Sequence, residues 1–142
     1  MKVTTAMLAD HAVVADSKLF IHGGGWDILL VPSFPVTPRA DLVFSIEVEH
    51  FEMQIPHTMT VEVVDGDFQP IGWKVGGVIQ AGPSAMGSPG DSSYVHQVLP
   101  LDSLQLPGPG TYRFVIRKEG EDEPLATVPL HAKVPPGLPN VR

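Results

Sequence analysis

Residues 41–49 read Asp-Leu-Val-Phe-Ser-Ile-Glu-Val-Glu, and this stretch decides the fold class. Apolar side chains occupy every second position, at Leu42, Phe44, Ile46 and Val48. Because successive side chains of a strand point to opposite faces, this spacing buries one face and leaves the other in water. Strands wetted on one face are typical of antiparallel sheets, and they argue against the doubly covered parallel sheets of nucleotide-binding enzymes.

The same two-residue spacing recurs through most of the chain. It predicts a second clear strand at 57–64, a weaker one at 71–80, and three more at 94–99, 110–118 and 125–134. Gly72, Gly76 and Gly77 interrupt the weaker strand, where glycine indicates a bulge or a bend. Together these runs predict an all-β protein, an antiparallel two-sheet β-sandwich of about eight strands that is immunoglobulin-like or C2-like.

The amino-terminal part of the chain is expected to form a hairpin. Residues 3–14 predict one bent strand or two short ones, and residues 15–18 predict a turn. The returning strand at 19–21 is expected to stop at the glycine triplet 23–25. The proline-rich segment 32–38 cannot be a central strand, so we expect it to cross from one sheet to the other.

The composition is that of one globular domain. The chain has 142 residues, of which 43% are hydrophobic and 18% are charged, and this is too apolar for a disordered protein. We expect the sandwich to cover residues 1–134. Residues 135–142 are expected to form an extended, proline-rich carboxyl-terminal tail, because paired prolines favour the polyproline conformation.

The chain is acidic and lacks cysteine. Its formal net charge is −7 at pH 7 and its sequence pI is about 5.2, so we expect it to bind neither nucleic acid nor an anionic membrane. The absence of cysteine excludes disulfides, thiolate metal sites and a cysteine nucleophile. No secretory signal and no run of roughly 18–20 apolar residues is present, which favours a cytoplasmic location.

Reactive side chains are not grouped in the sequence. Six histidines are present, but no two have the H-x-H or H-x-x-x-H spacing of metal ligands. The glycine triplet is not followed by the helix and lysine of a phosphate-binding loop, and no G-x-S-x-G elbow occurs. We therefore predict a protein that is not an enzyme and has no catalytic residue, cofactor or metal. One alternative stays open, a small-molecule, carbohydrate-binding or hydrolase site near the triplet, built from Asp10, His11, His22 and Asp27.

Tyr112 follows a Pro/Gly corner at residues 106–110 and begins an alternating strand. In immunoglobulin-like sandwiches, a tyrosine in this setting hydrogen-bonds to the backbone a few residues upstream. A tyrosine that is simply packed in the core gives the same sequence pattern. The sequence leaves both roles open.

The features that point to function are surfaces. The loop at 81–92 is long for a compact domain, and such loops are usually functional or disordered. We predict contacts with a protein partner at Trp26, Phe34, Met86 and Leu138. The main hypothesis is a non-enzymatic protein-binding or assembly module that contacts another protein or a second copy of itself. A structural component of a phage-like or shell-like assembly is a further alternative.

Two motifs near the amino terminus carry a family resemblance. Residues 8–14, LADHAVV, and residues 18–27, KLFIHGGGWD, resemble the opening of an uncharacterised bacterial family, largely actinobacterial, of small single-domain proteins. The proline-rich crossing and the later strand that begins with tyrosine are similar as well. The resemblance implies a cytoplasmic β-sandwich, and it brings no activity, cofactor or catalytic residue.

Overall fold

Nine strands build the protein within residues 1–137, the part of the chain that the structure, a computed structural model, describes. This part contains one turn of 3-10 helix, at His50–Glu52, and no helix that is long and apolar enough to cross a membrane. The strands are β1 (Lys2–Ala15), β2 (Lys18–Trp26), β3 (Ile28–Leu30), β4 (Asp41–Val48), β5 (His57–Val64), β6 (Pro70–Ile79), β7 (Ser93–Pro100), β8 (Gly110–Lys118) and β9 (Ala126–Lys133).

The strands pair into two packed sheets. One is a four-stranded sheet with the order β2-β1-β4-β7, and the other is a five-stranded sheet with the order β3-β9-β8-β5-β6. The predicted all-β two-sheet sandwich is thus confirmed. The strand pairs of the two sheets are antiparallel except for one: β3 runs parallel to β9. This pair arises because the chain moves at Asp27 from the edge of one sheet to the edge of the other.

The main core lies between the two sheets. Phe44 of β4, Val61 of β5 and Phe114 of β8 belong to one buried cluster and are 5%, 4% and 0% exposed. Each comes from a strand with clear two-residue alternation, so that spacing correctly identified the inward side chains. Burial of each large apolar side chain stabilises the fold by roughly 1.5–3 kcal/mol.

Strand β4 is buried on both faces, which its alternation did not predict. Val43 is 0% exposed and Ser45 is 4% exposed, although both lie on the face expected to be in water. A second, smaller apolar cluster covers Val43; its other members are Met7, Ala9, Ala12, Leu19, Ile21 and Val98. Most of these residues belong to β1 and β2, and Met7 pairs directly with Val43, so side chains of the amino-terminal hairpin shield Val43 from solvent.

The amino-terminal hairpin is longer than predicted. β1 is one continuous strand, and β2 runs through the glycine triplet to Trp26 instead of stopping at Gly23. Gly23 has a φ of 61°, in the left-handed region that glycine adopts without strain. A Cβ at this position would lie 2.3 Å from Asp10 Oδ2. The strand continues through the triplet because glycine leaves room for the carboxylate of Asp10.

The proline-rich segment crosses between the sheets, as predicted. It leaves β3 in the five-stranded sheet and enters β4 in the four-stranded sheet. On the way, Val36 forms an isolated antiparallel bridge with Leu106. The bridge holds the crossing against the corner that precedes β8.

Tyr112 has both roles that the sequence left open. The residue is buried in the main core, at 4% exposure. Its hydroxyl donates a hydrogen bond to the Gly108 carbonyl, with an oxygen–oxygen distance of 2.6 Å. The side chain therefore fills the core and also ties the Pro/Gly corner to the start of β8.

Candidate functional site

His11 and His22 lie side by side on the hairpin. The register of β1 and β2 pairs them directly, and their rings stack with centroids 6.5 Å apart and planes inclined by 22°. His11 Nδ1 is 3.5 Å from Asp41 Oδ2. Asp41 is buried and accepts a hydrogen bond from the Ala12 backbone N–H at 2.9 Å, so it anchors the hairpin to β4.

The two aspartates hypothesised for the same site make other contacts. Asp27 Oδ2 is 3.9 Å from His131 Nε2, and the Asp27 carbonyl accepts a hydrogen bond from the His131 backbone N–H at 2.7 Å. The Asp10 carboxylate lies against Gly23. Over residues 1–137, no three His, Asp or Glu side chains are placed to hold a metal ion. The structure brings the two histidines together and places Asp27 beside a different one.

His131 also belongs to a hydroxyl–imidazole–carboxylate series. Thr111 Oγ1 is 3.1 Å from His131 Nδ1, on the side of the ring away from Asp27. This order of groups is that of a hydrolase triad, but the 3.9 Å separation of Asp27 and His131 exceeds hydrogen-bond distance. The three residues come from distant parts of the chain, so no spacing motif indicated them. The series orients a surface histidine, but it lacks the close carboxylate that would hold the imidazole in place as a base for the hydroxyl.

The predicted partner contacts lie in different surroundings. Trp26 and Phe34 are partly buried and pack against the main core. Met86 is 96% exposed in the loop between β6 and β7. Leu138 lies outside the described residues. Of the three described residues, Met86 therefore presents the most side-chain surface to a partner.

An apolar groove opens between the sheets on the side of the sandwich where β6 and β7 are the edge strands. We call it the edge groove. Its floor contains Phe44, Met59 and Val61, and its lips are residues 75–79 of β6 and 97–99 of β7. The floor residues are members of the main core, each at most 5% exposed. The groove therefore reaches the core of the sandwich from an open side.

The edge groove exists because one inward position of β6 carries no side chain. Gly77 pairs with Met59, and Val75 pairs with Val61, so both positions lie on the face that looks into the sandwich. Among residues 1–137, a Cβ built at Gly77 meets no heavy atom within 4 Å. The φ of Gly77 lies outside the left-handed region that favours glycine. Neither crowding nor backbone conformation requires glycine at this position.

A polar side chain interrupts the inward face of β7 in the wall of the same groove. Gln97 pairs with Phe44, a member of the main core, and lines the groove. Val95 and Leu99, two residues to either side, are partly buried against the core. An amide both donates and accepts hydrogen bonds. The groove therefore combines an apolar floor with one uncharged polar group.

A comparison with protein-family models matches residues 4–133 to a family of unknown function, DUF6941. The chain belongs to this family. No curated protein and no solved structure matches it. The resemblance to an uncharacterised family is thus confirmed, and the match to DUF6941 includes both the hairpin and the edge groove.

One ion pair in this DUF6941 protein shifts the ionisation of a buried acid. Burial by itself raises the pKa of Glu52, but a hydrogen bond from the Met1 amino group, at 2.7 Å, and one from the Glu49 backbone N–H outweigh it. The positive charges of Met1 and Lys118 act in the same direction, so the pKa of Glu52 lies below its ordinary value of 4.5. The Glu52 carbonyl accepts a hydrogen bond from His57 Nε2 at 2.9 Å. These contacts fix the end of β4 and the start of β5.

Sequence reasoning missed the edge groove of the DUF6941 fold. The signal that could have found it is a glycine with apolar residues two positions away on both sides, Val75 and Ile79. Such a glycine occupies an inward position where the pattern calls for an apolar side chain. Gln97 breaks the same pattern in β7, between Val95 and Leu99.

Proposed function

We propose that this protein is a non-enzymatic protein-binding module and that the edge groove is its binding surface. The observation that carries the proposal is the glycine at the inward position 77. Glycine inside a strand is less favourable than alanine by roughly 0.5–1 kcal/mol, and an unfilled apolar space gives up the stabilisation of packing. Neither steric crowding nor the backbone conformation requires glycine at position 77. The open space beside it therefore supports a role in binding.

The chemistry of the lining supports recognition over catalysis. Phe44, Met59, Val61 and Leu99 are apolar, and Gln97 contributes a neutral amide. Concave apolar surfaces with a few polar groups are typical of binding sites. An amide is neither a general acid nor a general base at neutral pH. The groove therefore supports the binding of an uncharged, largely apolar surface.

We further propose a protein partner and a cytoplasmic site of action. The net charge of −7 disfavours nucleic acid, and residues 75–79 and 97–99 at the lips contain no lysine or arginine that would bind phosphate. An apolar groove with uncharged lips suits a protein surface better than a phosphate backbone. Fractionation of the source cells tests the location directly.

Affinity purification from the source cells tests the function with a matched pair of variants. Gly77→Val fills the inward space, whereas Gly76→Val puts the same side chain on the outward face, where Gly76 pairs with Thr60. We expect wild type and Gly76→Val to retain the same partner proteins, identified by mass spectrometry, and Gly77→Val to lose them. Retention of every partner by Gly77→Val contradicts the proposal, as does a wild-type protein with no reproducible partner.

A further inference from the structure

We infer that the molecule bound in the edge groove is an extended segment of a partner protein. It adds beside β6 as an extra strand and inserts an apolar side chain into the space at Gly77. The inference rests on the proposed function and names the chemistry of the partner at that same site.

Both lips of the groove are edge strands of the sheets that residues 1–137 form. β6 ends the five-stranded sheet and β7 ends the four-stranded sheet, so alternate N–H and C=O groups of each strand point away from its sheet. Natural edges are usually protected by charges, proline or bulges. In β6 such features lie in the first half, at Pro70, Gly72 and Lys74. Residues 75–79 contain no charge and no proline, which leaves this half of the edge open to pairing.

The inward position of Gly77 leaves room for a side chain from an added strand. A strand beside β6 presents every second side chain to the inward face. One of these side chains then lies over Met59, in the space that Gly77 leaves open. A valine, leucine or isoleucine from the partner would complete the apolar core at this point.

Gln97 favours a peptide over a purely apolar ligand. Its amide offers both a donor and an acceptor, which match the C=O and N–H groups of a peptide backbone. An acyl chain would cover the same amide without giving it a hydrogen-bond partner, which is unfavourable. The position of Gln97 in the groove wall therefore distinguishes a peptide from a lipid chain.

Selection from a random dodecapeptide library, displayed on phage against the full chain, tests the inference. We expect enriched peptides to carry apolar side chains at every second position. Their affinities, measured by fluorescence anisotropy, should fall about tenfold or more for Gly77→Val and about fivefold for Gln97→Leu, the loss of one hydrogen bond. Gly76→Val should bind as wild type does. Circular dichroism and thermal melting establish that each variant is folded.

N-methylation of single peptide bonds in an enriched peptide tests strand addition itself. In a segment paired along one edge, every second N–H bonds to the neighbouring strand, so N-methyl groups should abolish binding at alternate positions and be tolerated between them. Absence of this alternation overturns strand addition. The proposed function still stands in that case if Gly77→Val loses the native partner proteins, and it fails if Gly77→Val retains them.

Three other outcomes also overturn the inference. One is enrichment of no peptide, or of peptides that bind Gly77→Val as well as wild type. Another is that the wild-type protein binds dodecanoate, a single acyl chain, and that Gln97→Leu binds it more tightly. This result would identify a small apolar ligand as the occupant of the groove. The third is a concentration-dependent dimer, seen by analytical ultracentrifugation and lost in Gly77→Val alone, which identifies a second copy as the occupant.

Discussion

Replacing Gly77 by valine should raise the free energy of unfolding, because the new side chain enters space that the fold leaves open. The φ of Gly77 lies outside the left-handed region, and a Cβ at this position meets no heavy atom of the described part of the chain within 4 Å. Valine is therefore accommodated without backbone strain. The surfaces that the valine methyl groups approach belong to the groove floor, Phe44, Met59 and Val61.

Two contributions make up the expected gain. Replacing a glycine in a strand removes an entropic penalty of roughly 0.5–1 kcal/mol. Full burial of valine contributes about 1.5 kcal/mol, and about half of that applies in a groove open to solvent on one side. The sum is about 1.5 kcal/mol, which raises Tm by about 5 °C for a chain of this size. Gly76→Val gains the entropic contribution alone. The difference in free energy of unfolding between the two variants therefore measures the contribution from burying valine in the groove.

Urea unfolding followed by tryptophan fluorescence is a suitable assay. Trp73 lies on β6 and packs edge-on against Phe114, with ring centroids 6.3 Å apart, so its emission reports on this side of the core. The reasoning is refuted if Gly77→Val lowers the free energy of unfolding while Gly76→Val leaves it unchanged or raises it. That result would mean that a side chain at position 77 has no room on the inward face. Gly77→Ala, which adds only a Cβ, should show the entropic gain without any overpacking.

Three further perturbations test other parts of the structure. Tyr112→Phe removes the hydroxyl that bonds to the upstream carbonyl and should lower the free energy of unfolding, measured in urea, by about 1 kcal/mol. Asp41→Ala leaves the buried Ala12 N–H without its acceptor, so we expect a loss of about 1–3 kcal/mol and faster hydrogen exchange at Ala12. The folded-state pKa of Glu52 is lowered, so its stabilising contribution is complete above the ordinary value of 4.5 and is lost as the pH falls through the folded pKa. Glu52→Gln should therefore flatten the acid side of a curve of stability against pH.

Each of these three expectations has a matched control. Tyr94→Phe alters a side chain that is 54% exposed and should change stability by less than about 0.5 kcal/mol; equal losses at the two tyrosines contradict the corner role of Tyr112. Asp41→Asn keeps an acceptor for the amide and should lose less than Asp41→Ala. An acid limb that is the same in wild type and Glu52→Gln means that the ion pair does not stabilise the fold.

The strands were predictable because two-residue alternation is a local property of the chain. The ranges 57–64 and 110–118 are those of β5 and β8 in the structure. In strand β4 both faces are buried. Alternation identifies which of its residues share a face, but whether the second face is wet depends on what packs over it. Val43 is buried because side chains from the distant amino-terminal hairpin pack against it.

The candidate sites were less predictable because pairing register and the crossing between sheets create them. His11 and His22 meet because the register of the hairpin sets them opposite each other. Asp27 meets His131 because the chain changes sheets at that residue and runs on beside β9. Contacts of this kind join distant residues and leave no spacing motif in the sequence.

Strand β6 contains two kinds of glycine, and the difference between them bears directly on function. Gly72 has a φ of 94° where the register of β5 and β6 shifts, so it serves the bulge that the sequence predicted. Gly77 is part of the regular strand and has an open inward face, so nothing in the described chain accounts for it. Local rules that are broken without a structural reason are expected at functional sites. Gly77→Val restores an apolar side chain at the inward position, as the two-residue spacing of the strand predicts. If the variant is more stable but no longer binds the partner, then Gly77 serves binding and not the backbone conformation.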